Sequence, residues 1–158
     1  AMEKKIAPNQ YRILKFGNFH AGTVRNILPE TAVLEGSYRS FQDATFDWMI
    51  DQTKAIMRQL EQETGCQIVF DYTEGYPAVI NDAPLFAQAQ ALLPQLQVLD
   101  KPEMIAEDFA FYQRKIPGVF FFLGTGTGIA LHNCHFDFDE QVLQEGIKTD
   151  LALMNIDL

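Results

Sequence analysis

The sequence is short of positive charge and of cysteine. The sequence has 12 lysines and arginines and 21 aspartates and glutamates, so the formal net charge is −9 over 158 residues. Nucleic acid presents phosphates that need a basic protein face, so this charge excludes nucleic acid as the expected partner. Only Cys66 and Cys134 are present, too few for a disulfide framework. We expect Cys66 to be a small buried apolar side chain at the start of a strand.

Long apolar runs are missing as well. Apolar residues make up 47% of the sequence, yet no stretch approaches the roughly 20 residues that a membrane-spanning helix needs. Residues 1–5 lack the apolar core of a secretion signal. We therefore expect no membrane contact and a cytoplasmic location. The length and apolar content are enough to build one domain or two small ones.

In the first half of the chain, the spacing of the apolar residues changes from that of strands to that of a helix. Residues 11–19 and 31–40 alternate between apolar and polar side chains, which predicts two antiparallel strands joined by a long loop. Residues 43–64 carry apolar side chains at helical spacing. Asp43 is the predicted N-cap of this helix, and Gly65 is predicted to end it.

A strand and then a boundary are predicted in the middle of the chain. The alternating apolar side chains of 66–73 predict a third strand. Acids, glycine and proline at 76–82 suit a hinge, and Pro84 fits the first turn of a helix over 84–93. We therefore divide the chain into domains 1–78 and 79–158.

The C-terminal part contains a second helix signal and a fully apolar run. A short helix is predicted over 107–115, and residues 119–123 predict a strand buried on both faces. The glycine-threonine loop 124–128 follows. The last helix is predicted from Asp139 to about Asn155, with Leu143, Ile147 and Leu151 buried against the 119–123 strand.

Several ordered motifs resemble one enzyme family. The family is the metal-dependent aminoacylases and carboxypeptidases, amidohydrolases that cleave N-acyl amino acids, and the resemblance is strongest to the branch of hippurate and auxin-conjugate hydrolases. The motifs span nearly the whole chain in family order: HAGTVRNILP at 20–29, LEGSYRSF at 34–41, AEDFAFY at 106–112, IPGVFFFLGTG at 116–126 and LHNCHFDFDE at 131–140.

The resemblance implies an α+β chain in two parts. Residues 1–78 would form a partial ferredoxin-like lid with the element order β-β-α-β, a lid and dimerisation domain. Residues 79–158 would form an α/β segment, the C-terminal part of the metallohydrolase catalytic domain. The implied reaction is metal-dependent cleavage of an N-acyl amino acid or small peptide amide, with zinc, manganese, cobalt or nickel as the divalent metal.

Most of the family's catalytic residues have no counterpart in this chain. The family takes its other metal ligands and its glutamate base from an H-x-D or C-x-H segment and a Glu-Glu pair. Neither C-x-H nor Glu-Glu occurs here, and the one H-x-D string, His135-Phe136-Asp137, lies inside a motif already assigned. We therefore expect no catalytic base in this chain and expect the chain alone to be inactive.

His132 is the candidate metal ligand. An imidazole in a loop is a common ligand, and the resemblance assigns this histidine to one metal. The competing interpretation is a surface histidine that only hydrogen-bonds its loop. Cys134 stands where the family has proline, so a local site of His132, Cys134 and His135 is a further alternative, although this spacing is not typical of zinc sites.

The resemblance also implies substrate-binding residues. Asn26 would reach a substrate in the partner subunit's site, and Arg39 would bind the substrate carboxylate in two-point fashion. Gly124, Thr125 and Gly126 would turn their backbone amides toward that carboxylate. For Arg39 the alternative is structural, an ion pair with Glu35 on an exposed strand face.

Glu107 and Asp108 stand at a predicted helix start. Acids there interact favourably with the helix dipole, which is one interpretation. The resemblance implies another, in which the pair lies near the active site and supports the substrate pocket without binding metal.

A homodimer is the expected assembly. In the family the first lid strand, which this chain lacks, lies in the middle of the sheet, so its absence leaves open strand edges. We expect the lid strands of two copies to pair or swap, and a small N-acyl amino acid to be the substrate of the complete enzyme. The alternative function is a non-catalytic dimerisation or complementation module from a truncated gene product.

Overall fold

The computed structural model describes residues 2–154 and divides the chain into two compact units. The first unit is Ala1–Ala78 with Pro102–Asp108, and the second is Val79–Lys101 with Phe109–Leu158. The segment Pro102–Asp108, which the sequence grouped with the second part, therefore packs with the first. The chain is a mixed α+β protein with a two-stranded antiparallel sheet and helices.

The first unit contains a long β-hairpin. Strands β1 (Arg12–Ala21) and β2 (Ala32–Ser40) pair antiparallel, from Arg12 opposite Ser40 to Ala21 opposite Ala32. The register shifts between Phe16 and Asn18, which makes Gly17 the extra residue of a bulge. Both strands were predicted, each within two residues of its observed bounds.

Helix α1 (Asp43–Thr64) provides most of the core of the first unit. Its Met49 and Ile50 are buried, as is Ile6 from the N-terminal segment. Gly65 ends the helix in the left-handed conformation, φ 75°, as predicted. The predicted cap is wrong by one residue: Gln42 is the extended residue before the helix, and Asp43 is already helical.

The strand predicted over 66–73 does not form. A strand needs a neighbouring backbone to complete its ladder, and β2 is hydrogen-bonded to β1 alone in the sheet that the structure describes. Side chains hold the segment instead: Glu61 accepts the Ile68 N–H at 2.9 Å, and the Phe70 ring lies 6.4 Å from that of Tyr38. Cys66 is consequently exposed rather than buried.

Helices form the regular part of the second unit. They are α2 (Ala83–Leu92), α3 (Phe109–Gln113) and α4 (Gln141–Leu153). Asp82 caps α2 by accepting the Leu85 N–H at 3.1 Å, with Pro84 in the first turn as predicted. The buried apolar side chains of this unit are Leu85, Ala89, Leu93 and Ala110.

The strand predicted over 119–123 is also absent, and hydrogen bonds from residues outside any strand hold part of this region. Asn81 donates its Nδ2 hydrogen to the Phe120 carbonyl at 2.9 Å and accepts the Phe120 N–H at 2.8 Å. The Asp82 N–H and Gln113 Nε2 both donate to the Gly118 carbonyl, at 3.1 and 3.0 Å. The Phe120 N–H and carbonyl and the Gly118 carbonyl are therefore paired without a strand ladder.

Helix α4 does not bury the face that its sequence predicts. It begins at Gln141 rather than Asp139, whose carboxylate accepts the Gln141 N–H at 2.9 Å. The predicted end at Asn155 lies outside the described residues. Leu143, Ile147 and Leu151 are 52, 60 and 59% exposed, so their predicted burial is wrong in this chain.

The chain has a large exposed surface for its mass, and large apolar side chains contribute to it. The chain exposes 12,914 Å², whereas two separate globular units of half its 17.9 kDa mass would together expose about 9,700 Å². Leu28 and Val69 are 91 and 90% exposed. Among the helices of residues 2–154, none has the length and apolar content that crossing a membrane requires.

Candidate functional site

His132 occupies an unusual backbone position. The Asn133 N–H donates to the Ala130 carbonyl at 3.2 Å, which closes a turn over 130–133. His132 is the third residue of this turn and has φ 65°, in the left-handed region where a non-glycine residue is uncommon. The turn leaves the imidazole exposed. A strained backbone of this kind is a frequent mark of functional sites.

Asn133 fixes the chain that follows the histidine. Its Oδ1 accepts the His135 N–H at 2.9 Å, and its carbonyl accepts the Phe136 N–H at 2.9 Å. Cys134 and His135 are exposed. Within residues 2–154 no three histidine, cysteine or carboxylate side chains lie together as a metal site, so the local site of His132, Cys134 and His135 is not formed.

The glycine-threonine loop precedes the His132 turn in the second unit. Gly126 adopts φ 72°, and no heavy atom lies within 4 Å of the place that a Cβ would take at Gly124 or Gly126. The Thr125 and Thr127 hydroxyls lie 3.3 Å apart. The loop is thus shaped by left-handed glycine and its own hydroxyls, and its backbone is open to close approach.

Asn26 and Arg39 belong to the first unit and lie at opposite ends of its hairpin. Asn26 is exposed in the loop between β1 and β2, in a turn that the Ile27 N–H closes on the Val24 carbonyl. Arg39 lies seven residues into β2, opposite Ile13, roughly 23 Å along the strand from its start at Ala32. The two candidates therefore do not contact one ligand within a single copy of this unit.

Arg39 does not form the ion pair that was its alternative role. Its Nη1 donates to the Met104 carbonyl at 2.5 Å, within the first unit. Glu35 instead accepts a hydrogen bond from Asn18 Nδ2 at 2.6 Å. A guanidinium has five N–H donors, so this contact leaves Arg39 able to bind a carboxylate.

Glu107 and Asp108 precede α3 rather than begin it. The helix starts at Phe109, and both acids count with the first unit. Glu107 is half-buried and Asp108 is exposed. The helix-dipole interpretation is weaker than the sequence suggested, because a helix of five residues carries little macrodipole.

Asn81 is the residue that sequence reasoning missed. The sequence indicates only a hinge and a helix start at this point, but the Asn81 amide also binds the backbone of Phe120, four residues before the loop at 124–128. The sequence feature that could have indicated this role is a side-chain amide directly before an Asp-x-Pro helix start.

Comparisons with known proteins agree with the motif order. The family model described as Peptidase family M20/M25/M40 matches residues 6–155. N-acetyldiaminopimelate deacetylases from Oceanobacillus iheyensis and Lacticaseibacillus paracasei are 27 and 31% identical to this chain, and the matches cover 97 and 91% of it. They cover only 42 and 39% of those proteins, so the chain spans about two-fifths of their length.

A solved structure shows the same fold. It belongs to a Bacillus subtilis protein described as a dinuclear metal binding peptidase from the M20 family, with a TM-score of 0.77 and 27% identity. The match covers 90% of this chain and 41% of that one. Because the family model covers nearly all of the sequence and the fold agrees, this chain belongs to Peptidase family M20/M25/M40.

Proposed function

We propose that the complete protein hydrolyses the amide bond of an N-acyl amino acid or a small peptide amide. The observation that carries this proposal is the family match over residues 6–155, with the motif histidine His132 held in an exposed left-handed turn. The motif order further favours the hippurate and auxin-conjugate branch. The matched relatives are named N-acetyldiaminopimelate deacetylases, so acetyl amino acids are the first substrates to test.

A divalent metal, zinc, manganese, cobalt or nickel, is part of the proposal. It is supported by the dinuclear metal binding of the B. subtilis relative. Such a metal polarises the carbonyl and lowers the pKa of a bound water. His132 would hold it through a ring nitrogen. One histidine does not make a site, and residues 2–154 bring no three ligating groups together. We therefore place the other ligands and the base outside this chain, which alone would be inactive.

The remaining candidates orient substrate in this proposal. Arg39 would pair with the substrate carboxylate through its planar guanidinium. The amides of Gly124, Thr125 and Gly126 would donate to the same end of the substrate, since the open loop permits close approach. Asn26, at the hairpin loop, would contact substrate bound by a second copy.

A homodimer through the lid strands completes the proposal, together with a cytoplasmic location. The unpaired edge of the hairpin and the exposed apolar surface support the dimer. Glu107 and Asp108 would support the pocket through the segment that Arg39 holds at Met104.

A chimera tests the function. This chain would replace the matched 42% of the O. iheyensis deacetylase, and release of acetate from N-acetyldiaminopimelate and of glycine from hippurate would be measured with each metal. We expect hydrolysis by the chimera and none by the chain alone. His132→Ala in the chimera should abolish turnover and lower the bound metal, measured by plasma mass spectrometry.

His135→Ala is the matched control, because it removes an exposed imidazole from the same loop and should leave both readouts unchanged. A folded chimera that keeps full activity and metal after His132→Ala would contradict the assigned role. Stoichiometric metal bound tightly by the chain alone would contradict the inactive state. A folded chimera that binds no metal and hydrolyses nothing would favour the non-catalytic module.

A further inference from the structure

We infer that Gln113 is a positioning residue for the glycine-threonine loop 124–128. The inference rests on the substrate-binding role proposed for that loop. The Gln113 side chain joins two backbone segments: its Oε1 accepts the Ile80 N–H at 3.0 Å, and its Nε2 donates to the Gly118 carbonyl at 3.0 Å. Both ends of the amide are therefore used, and only one orientation of the amide satisfies both bonds.

Asn81 joins the same two segments beside Gln113. Its Nδ2 donates to the Phe120 carbonyl at 2.9 Å, and its Oδ1 accepts the Phe120 N–H at 2.8 Å. The Asp82 N–H also donates to the Gly118 carbonyl, at 3.1 Å. The chain enters the second unit at Val79, so these bonds tie the first residues of that unit to the segment that leads to the loop. We call the side-chain amides of Gln113 and Asn81 the amide clamp.

The packing around Gln113 limits how far the clamp can loosen. A Cβ at Gly118 would lie 3.3 Å from Gln113 Cγ and 3.1 Å from Phe109 Cζ, so the absence of a side chain there lets Gln113 approach closely. Gln113 and Asn81 are both half-buried. Water therefore competes only in part for their hydrogen bonds.

Contacts continue from the clamp toward the loop. The Phe120 and Phe122 rings pack edge to face with their centroids 5.5 Å apart. Leu123, the residue directly before the loop, places its Cδ2 3.2 Å from the position that a Cβ would take at Gly146 of α4. The segment that enters the loop is thus held by the clamp at its start and by α4 at its end.

The loop has few contacts of its own that could position it. No heavy atom of the described residues lies within 4 Å of the place that a Cβ would take at Gly124, Gly126 or Gly128. The Thr125 and Thr127 hydroxyls contact each other. Backbone amides bind a carboxylate best when they are held in place before it arrives. The flanking segments therefore have to position the loop, and the clamp fixes the segment before it.

Amide exchange in the chain itself tests the clamp independently of activity. Gln113→Met keeps the side-chain length and removes both hydrogen-bonding ends. It should speed exchange of the Phe120 N–H about tenfold, the effect of losing roughly one hydrogen bond, although Gln113 binds Gly118 and not Phe120. Gln90→Met is the matched control, because Gln90 is an exposed residue of α2, and the rate should not change.

Circular dichroism checks that each variant is folded. If Gln113→Met unfolds, Gln113→Glu answers the same question, since it keeps the acceptor for the Ile80 N–H and loses the donor to the Gly118 carbonyl. An unchanged exchange rate at Phe120 in the folded variant overturns the inference.

Kinetics of the chimera test whether the clamp serves substrate binding. Hippurate carries the carboxylate that the loop is proposed to bind, whereas hippuramide, its C-terminal amide, does not. Gln113→Met should raise the KM for hippurate about tenfold, with kcat within about threefold. The Ki of hippuramide as a competitor should change less than about twofold. A merely structural role would instead lower the active fraction, and with it kcat, and leave KM unchanged.

The outcomes separate the clamp from the proposed function. Equal rises in the KM for hippurate and the Ki of hippuramide, or a fall in kcat alone, overturn the positioning role. A folded wild-type chimera that hydrolyses no substrate overturns the proposed function and the link of the clamp to substrate. Exchange at Phe120 still decides in that case whether the Gln113 and Asn81 amides act together.

Discussion

Replacing Asn81 with alanine should destabilise the second unit by about 2–3 kcal/mol. The Asn81 amide makes two hydrogen bonds with the backbone of Phe120, at 2.9 and 2.8 Å. The two residues are 39 positions apart in sequence. The contact therefore ties the start of α2 to the apolar run at 119–123.

The magnitude follows from what the truncation leaves behind. Each net hydrogen bond contributes about 0.5–1.5 kcal/mol, and a buried polar group without a partner costs about 1–3 kcal/mol. Phe120 is half-buried, so water replaces part of what the amide supplied. Asn81→Asp separates the two bonds: the carboxylate still accepts the Phe120 N–H but sets an oxygen against the Phe120 carbonyl. At neutral pH the Asn81→Asp substitution should therefore lower the free energy of unfolding by at least the contribution of one hydrogen bond.

Urea unfolding followed by far-UV circular dichroism gives the free energy, and mass-detected amide exchange at Phe120 gives the local effect. Tryptophan fluorescence reports the other unit, because Trp48 is the only tryptophan. Asn133→Ala is the control, since it removes the same atoms from an exposed residue with one side-chain bond to His135. Equal costs for Asn81→Ala and Asn133→Ala, both below about 0.5 kcal/mol, would refute the reasoning.

Three further substitutions have matched controls. Gly36→Ala should lower the free energy of unfolding in urea by about 1–3 kcal/mol, because a Cβ would collide with the Lys15 carbonyl and lie 2.6 Å from Phe16 Cδ1. Gly17→Ala is its control, since a Cβ there meets nothing within 4 Å. Similar losses of stability in the two variants would contradict this prediction. Met49→Ala should cost about 2–5 kcal/mol by Trp48 fluorescence and Met154→Ala under about 0.5 kcal/mol, since they are 0 and 79% exposed. His132→Gly should stabilise the chain by about 1 kcal/mol, because glycine adopts the φ of 65° at this position without backbone strain. His135→Gly is its control and should not stabilise the chain. Thermal unfolding compares the two variants, and a loss of stability in His132→Gly would argue against strain.

Local pattern predicted the elements that need only local bonds. Helix α1 pairs each N–H within its own segment, and its end at Gly65 follows from one residue's conformation. The hairpin β1–β2 needed only its adjacent partner. The segments 66–73 and 119–123 have strand composition, but a strand forms only where another backbone completes it. Sequence pattern describes a preference for pairing and does not reveal whether the partner is present.

Burial and the site were predictable to different degrees. The stripe Leu143, Ile147 and Leu151 is apolar as predicted, but its cover is absent from residues 2–154, so all three are exposed. The motif gives His132 as a candidate ligand, whereas its left-handed turn could not be foreseen, because few non-glycine residues adopt that conformation. The Asn81 contact was missed because it joins residues far apart in sequence.

The first unit is built from two separate stretches of the sequence, so its parts are synthesised at different times. Ala1–Ala78 is synthesised before Pro102–Asp108, so the carbonyl that receives Arg39 is supplied last. At about 5–20 residues per second, the intervening segment delays it by on the order of a second or more, far longer than a hairpin needs to close, about 1–10 μs. During translation the hairpin thus exists for a time before its Arg39 guanidinium has the Met104 carbonyl to bind.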